Sequence, residues 1–148
     1  IGLQIHQTDS ALTNISATGK GSTGGNWGVY ITFSDAQMNN IRAVATGKGS
    51  SSLNEAVYIS RSSPVISNLR TTGGGAKQGG VGVRVLSSSR PYIRNSVLQG
   101  RTDGLTLDDD TVGRTKVVNS QIINGVSDGA SGTQCRETYN SSLLDVAC

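Results

Sequence analysis

The chain has 148 residues, of which 34% are strictly apolar and 4% aromatic, with 20 glycines, two prolines and a formal charge of +3. That is one domain of ordinary size, lean in apolar residues without the composition of a disordered chain, and poorly suited to a large aromatic-cored sandwich. The weak positive balance, with no run of basic residues, argues against nucleic acid as a partner, and no apolar stretch approaches the roughly 18 to 20 residues of a membrane helix.

The first element is Ile1-Gly2-Leu3-Gln4-Ile5, and its pattern returns at Gly28-Val29-Tyr30-Ile31, Ala56-Val57-Tyr58-Ile59, Gly82-Val83-Arg84-Val85 and Gly104-Leu105-Thr106-Leu107. Each copy reads small, apolar, variable, apolar. The steps between positions 2, 28, 56, 82 and 104 are 26, 28, 26 and 22 residues, a period that signals a solenoid of stacked supersecondary units. No leader pattern opens the chain. It starts without Met on a strand-like copy, and so reads as mature or trimmed material, the C-terminal part of a longer protein.

A polar corner follows each opening copy: Gln7-Thr8-Asp9-Ser10, Ser34-Asp35, Arg61-Ser62-Ser63, Ser87-Ser88-Ser89 and Asp108-Asp109-Asp110. A second apolar element comes next, as in Ala11-Leu12, Ala36-Gln37-Met38, Pro64-Val65-Ile66 and Pro91-Tyr92-Ile93. An asparagine then recurs at Asn14, Asn40, Asn68, Asn95 and Asn119, followed by a third element and a closing glycine at 19, 47, 73, 100 and 125. Short apolar runs alternating in steps of two, bounded by Gly, Ser, Asn and Asp, are strands and turns, not helices. Three short strands in 22 to 28 residues make one coil of a parallel β-helix, each strand pairing with its counterpart a coil later. Leu3, Val29, Val57, Val83 and Leu105 then form one inward column, and Ile5, Ile31, Ile59, Val85 and Leu107 a second. The five asparagines are expected at tight left-handed corners, where an amide with donor and acceptor can bond along the axis as a ladder. Unlinked turn asparagines are the alternative.

The units Ser63-Pro64-Val65-Ile66-Ser67-Asn68 and Arg90-Pro91-Tyr92-Ile93-Arg94-Asn95 resemble the repeat of the right-handed parallel β-helix proteins of the pectate-lyase-like superfamily, many of them secreted. The resemblance covers roughly residues 1–125. It implies the fold and leaves the activity open, because that superfamily holds lyases, hydrolases, epimerases, adhesins and phage tail proteins.

The tail departs from the repeat. Residues 125–132 are a Gly/Ser/Asp linker, and Cys135-Arg136-Glu137-Thr138-Tyr139 and Leu143-Leu144-Asp145-Val146-Ala147-Cys148 read as two strands about a turn. A solenoid end left uncovered offers a sheet edge, so residues 126–148 are expected to be a linker and a hairpin cap closed by a Cys135–Cys148 disulfide. Such a bridge closes a loop of about 14 residues, worth roughly 3 kcal/mol in the chain-entropy model, and implies an extracellular location. Two free thiols are the alternative. The N-terminal coil shows no cap, and self-association through it is a further expectation.

Three surfaces are candidate sites. The first is the outward row Gln4, Tyr30, Tyr58, Arg84 and Thr106, with His6, Thr32, Ser60, Leu86 and Asp108 beside it. Tyr30 and Tyr58 offer aromatic surface to a sugar, and Arg84 can pair with a carboxylate. The second is a cation column at the coil ends, Lys20, Lys48, Lys77 and Arg101, suited to an acidic polysaccharide or cell-surface glycan. Solubilising edge lysines are the plainer reading. The third is Asp108-Asp109-Asp110, where carboxylates run glycoside hydrolysis or hold Ca²⁺, a solvated turn being the alternative. The similar hydrolases carry carboxylates at this point with a Gly-His-Gly and an Arg-x-Lys motif. Here Arg114-Thr115-Lys116 is present but Gly-His-Gly is not, and the only histidine is His6. The similar lyases need acidic calcium ligands on neighbouring coils, which Ser60 and Leu86 do not supply.

The expectation is therefore an all-β, right-handed parallel β-helix of about five coils with a disulfide-closed cap, secreted, without cofactor or structural metal. Its expected role is non-catalytic: glycan binding, surface attachment or scaffolding. A polysaccharide lyase or hydrolase using Arg84, Asp108 and Asp109 is one alternative, and a subunit stacking end to end is another.

Overall fold

The computed structural model describes residues 1–21, 25–48, 53–75, 79–108, 111, 114–128 and 134–136. The strands β1 (Leu3–His6), β2 (Ala11–Gly21), β3 (Asn26–Thr32), β4 (Gln37–Gly47), β5 (Asn54–Ser60) and β6 (Val65–Gly74) wind about one axis as three successive pairs. The winding continues through β7 (Gly80–Leu86), β8 (Tyr92–Arg94), β9 (Val97–Gln99), β10 (Asp103–Leu107), β11 (Lys116–Val118), β12 (Gln121–Ile123), β13 (Val126–Asp128) and β14 (Gln134–Arg136). All strand pairings among the described residues are parallel. The chain is an all-β parallel solenoid. A 6-stranded sheet runs β1-β3-β5-β7-β10-β13, and an 8-stranded sheet collects the remaining strands.

The register places the apolar columns where the repeat predicts them. Leu3 lies beside Val29, Val29 beside Val57, Val57 beside Val83 and Val83 beside Leu105; Ile5, Ile31, Ile59, Val85 and Leu107 follow the same rule. Val29, Val57, Val83, Leu105 and all of the second column are buried, and Leu3 at the first rung is half-buried. From the opposite wall come Met38, Ile66, Ile93 and Val117 in one column and Ile41 over Leu69 in another, so the core is a narrow aliphatic stack. Rungs about 4.8 Å apart bring every inward side chain onto its counterparts above and below, which explains why so few apolar residues suffice.

The three separate strands per coil that the repeat predicts are present in β7-β8-β9 and β10-β11-β12, the second and third of each belonging to one sheet. In β2, β4 and β6 the second and third elements run on as one strand, because hydrogen bonding continues on both sides of the recurring asparagine. That asparagine marks a bend. Asn14, Asn40, Asn68, Asn95 and Asn119 all adopt left-handed backbone, with φ of 59°, 55°, 54°, 51° and 47°. The amide ladder is real but not uniform. Asn40 Nδ2 donates to Asn14 Oδ1 (2.7 Å) and Asn119 Nδ2 to Asn95 Oδ1 (2.8 Å), whereas Asn68 Nδ2 donates to Asn39 Oδ1 (2.8 Å) instead of Asn40. The second amide at Asn39, one residue before the corner, diverts the bond.

Serines make two further ladders inside the corners. Ser34 N–H donates to Ser62 Oγ and Ser62 N–H to Ser89 Oγ, while the Ser62 and Ser89 hydroxyls donate to carbonyls of their own coil. Leu69 N–H to Ser96 Oγ and Ser96 N–H to Ser120 Oγ repeat the device at the second corner. Each buried hydroxyl accepts from one rung and donates within another, so backbone groups freed by the turn are satisfied.

At the far end, Gln134–Arg136 stacks in parallel on β11, with Cys135 beside Val117. The first arm of the expected hairpin is thus another rung of the solenoid. Cys148, and with it the expected Cys135–Cys148 disulfide and the rest of the cap, lies outside the described residues.

Candidate functional site on the first face

The outward row of the first sheet assembles as the repeat predicts. Tyr30 pairs in register with Gln4 and Tyr58, Tyr58 with Arg84, and Arg84 with Thr106. The Tyr30 and Tyr58 rings stack with centroids 4.8 Å apart and planes 5° from parallel. They spend one face each on one another, so they do not stand as two open platforms.

Two residues join them that strict alternation assigns to the interior. Trp27 sets its ring edge-on to both tyrosines, 5.4 Å from Tyr30 and 6.2 Å from Tyr58. Glu55, beside Trp27 in register, accepts from Trp27 Nε1 at 2.6 Å and pairs with Arg84 Nη1 at 3.1 Å. The reason lies in Gly28 and Ala56. These small residues turn inward immediately before the inward Val29 and Val57; a β-carbon on Gly28 would come within 2.8 Å of the Val44 backbone. Two consecutive inward positions break the period of two, and residues three apart share the outer face. The copies Trp27-Gly28-Val29-Tyr30 and Glu55-Ala56-Val57-Tyr58 carry that signal.

Arg84 sits at the centre of the charges. Its guanidinium contacts Glu55 and reaches Asp108 Oδ1 at 3.8 Å. Arg84 Nε and Thr106 Oγ1 are buried and find no hydrogen-bond partner among the described residues. Glu55 is 4% exposed, so its contacts with Arg84 and Trp27 are shielded from water and stronger than surface pairs. The Tyr58 phenol is held above the ordinary tyrosine value of 10.0, chiefly by burial, then by Tyr30, Glu55 and Asp108, with Arg84 opposing. A raised pKa means the folded state holds the proton more tightly than the unfolded one. The stability this contributes is complete below pH 10.0 and lost as pH rises through the raised value. Absorbance titration of the phenolates should show a step above pH 10.0, and Tyr58→Phe should remove that step.

The other predicted site residues are distributed as follows. His6, the only histidine, bonds Thr32 Oγ1 through Nδ1 at 2.8 Å and meets Phe33 edge-on, beneath an Arg61 guanidinium 5.1 Å from the Phe33 ring. Lys20 and Lys48 line one cleft with Gly21, Thr46, Gly47 and Gly75, but Thr46, not Lys48, is the register partner of Lys20. The predicted column is therefore staggered, because the chain at the coil ends changes length between repeats. The backbone N–H of Arg101 donates to Gly73 O at 2.8 Å. Lys77 and Asp109 lie outside the described residues. Among the described residues no three His, Cys, Asp or Glu side chains gather as a metal site, and no helix is long and apolar enough to cross a membrane.

Compared with family models and with curated proteins, the chain finds no match.

Proposed function

We propose that the chain is a non-catalytic, extracellular β-solenoid module of pectate-lyase-like kind that binds a glycan on its first face. The observation carrying this reading is the locked cluster of Trp27, Tyr30, Tyr58, Glu55 and Arg84. Its side chains are fixed by one another before any ligand arrives, so little rotamer entropy is lost on binding. It presents phenol hydroxyls, ring edges and half-exposed indole in one patch, the mixture that suits a sugar. Arg84 is committed to Glu55, whereas a catalytic base must be free to take a proton. The lysine cleft at Lys20 and Lys48 supports an acidic polysaccharide or cell-surface glycan as ligand.

The second reading, a lyase or hydrolase of acidic polysaccharide, draws on Arg84 lying 3.8 Å from Asp108. Calorimetric titration with polygalacturonate and neutral glycans separates the two. The binding module should bind without releasing unsaturated or shortened products, and Trp27→Ala should weaken binding about tenfold or more. Turnover by the wild-type chain, abolished by Asp108→Asn, would establish the enzyme instead.

A further inference from the structure

The geometry points to a second binding site, for an anionic sugar residue, in the cleft of about 580 Å³ where Arg90, Arg114 and Lys116 surround Tyr92. This cleft belongs to the second sheet. Val65, Tyr92 and Lys116 are register partners on three successive rungs of β6, β8 and β11. Arg90 and Arg114 each stand two residues before their strand positions, Tyr92 and Lys116, and so occupy the same corner one rung apart. The bonds Arg90 N–H to Ser62 O (3.1 Å) and Lys116 N–H to Pro91 O (3.0 Å) hold that corner to its neighbours.

Along the axis this corner changes sign. Its earlier rungs carry Asp9 and Asp35, whose carboxylates accept from the Asp35 and Ser63 backbone N–H groups at 2.9 and 2.7 Å. Its later rungs carry Arg90 and Arg114. Among the described residues no carboxylate lines the cleft, and both ion pairs among them belong to Arg84 on the first face. Three cations on two adjacent rungs repel one another, and a bound anion removes that repulsion.

The floor narrows the choice of anion. Val65 is 38% exposed, an apolar side chain left open beside half-buried Tyr92 and buried Pro91. A bare inorganic anion makes no use of such a floor. A pyranose lays its apolar face on Tyr92 and Val65 while its carboxylate or sulfate takes charge-assisted hydrogen bonds from the arginines and Lys116. This inference extends the glycan-binding reading to another surface and does not use the Trp27 cluster.

The test is calorimetry on the full chain with three probes: an oligogalacturonate, a sulfated oligosaccharide, and the methyl-esterified oligogalacturonate. Either charged probe should bind, and which one does distinguishes uronate from sulfated sugar. The Arg90→Gln/Arg114→Gln/Lys116→Gln variant should weaken that binding about tenfold or more, as should Arg114→Glu alone, and added salt should weaken it further. The neutral ester should bind the wild type and the triple variant alike. Charged probes that fail to bind the wild type, or that bind both variants as tightly as the wild type, would overturn the inference. Loss of their binding in Trp27→Ala but not in the cleft variants would leave the first face as the site and also refute the cleft.

Discussion

Ile59→Ala should destabilise the solenoid by about 3 to 4 kcal/mol, toward the upper part of the range for truncating a buried isoleucine. Ile59 is fully buried, with Ile31 beside it on one rung and Val85 on the other. Its neighbours cannot settle into the space left behind, because backbone hydrogen bonds along both sheets fix the rungs at about 4.8 Å. The same change at Ile5, whose only register partner among the described residues is Ile31, should cost about half as much. Urea unfolding followed by circular dichroism checks both. In a stack where each coil touches only its neighbours, the damage should also stay local, and hydrogen exchange in Ile59→Ala should quicken first in β3, β5 and β7. Equal costs at Ile5 and Ile59 would contradict the stacked core.

Glu55→Ala should cost about 2 to 3 kcal/mol. The substitution leaves the Trp27 indole N–H and one side of the Arg84 guanidinium without the nearly buried carboxylate that accepts from both. The figure sits below that for a fully buried ion pair because the Arg84 side chain is 28% exposed and recovers some hydration. Glu55→Gln keeps an acceptor for Trp27 but not the charge opposite Arg84, and should lose about 1 kcal/mol. Trp27 is the only tryptophan, so its emission reports the site directly: a red shift in Glu55→Ala and little change in Glu55→Gln. A double-mutant cycle with Arg84→Ala isolates the charge pair. Identical losses for Glu55→Ala and Glu55→Gln would mean that only the charge matters and that the Trp27 bond contributes nothing.

The fold was legible because the repeat puts the same kind of residue at the same place in every coil. Gly28-Val29-Tyr30-Ile31 and Ala56-Val57-Tyr58-Ile59 predict the rung pairing residue by residue, and the recurrent asparagines mark left-handed corners with no other information needed. The other corner was less plain. Gln7, Phe33, Arg61 and Ser87 also take left-handed backbone, with φ between 50° and 55°, and no shared chemistry among those side chains announces it. The site was half legible. Alternation places Tyr30, Tyr58 and Arg84 outward correctly and misplaces Trp27 and Glu55, since it does not foresee that Gly28 and Ala56 turn inward beside Val29 and Val57. The cleft around Tyr92 was hidden for a different reason. Its cations come from two repeats and a corner whose charge reverses along the axis, so no single stretch of sequence displays it.

The most direct measurement is of methyl–methyl proximity within the core. In a methyl-labelled, otherwise deuterated sample, nuclear Overhauser contacts should run in order from Ile5 to Ile31, Ile31 to Ile59, Ile59 to Val85 and Val85 to Leu107, the order set by the parallel register. Contacts that skip a member, or that pair Ile31 with Val57 in place of Ile59 as an offset or antiparallel arrangement requires, would contradict the solenoid and dissolve both proposed sites with it.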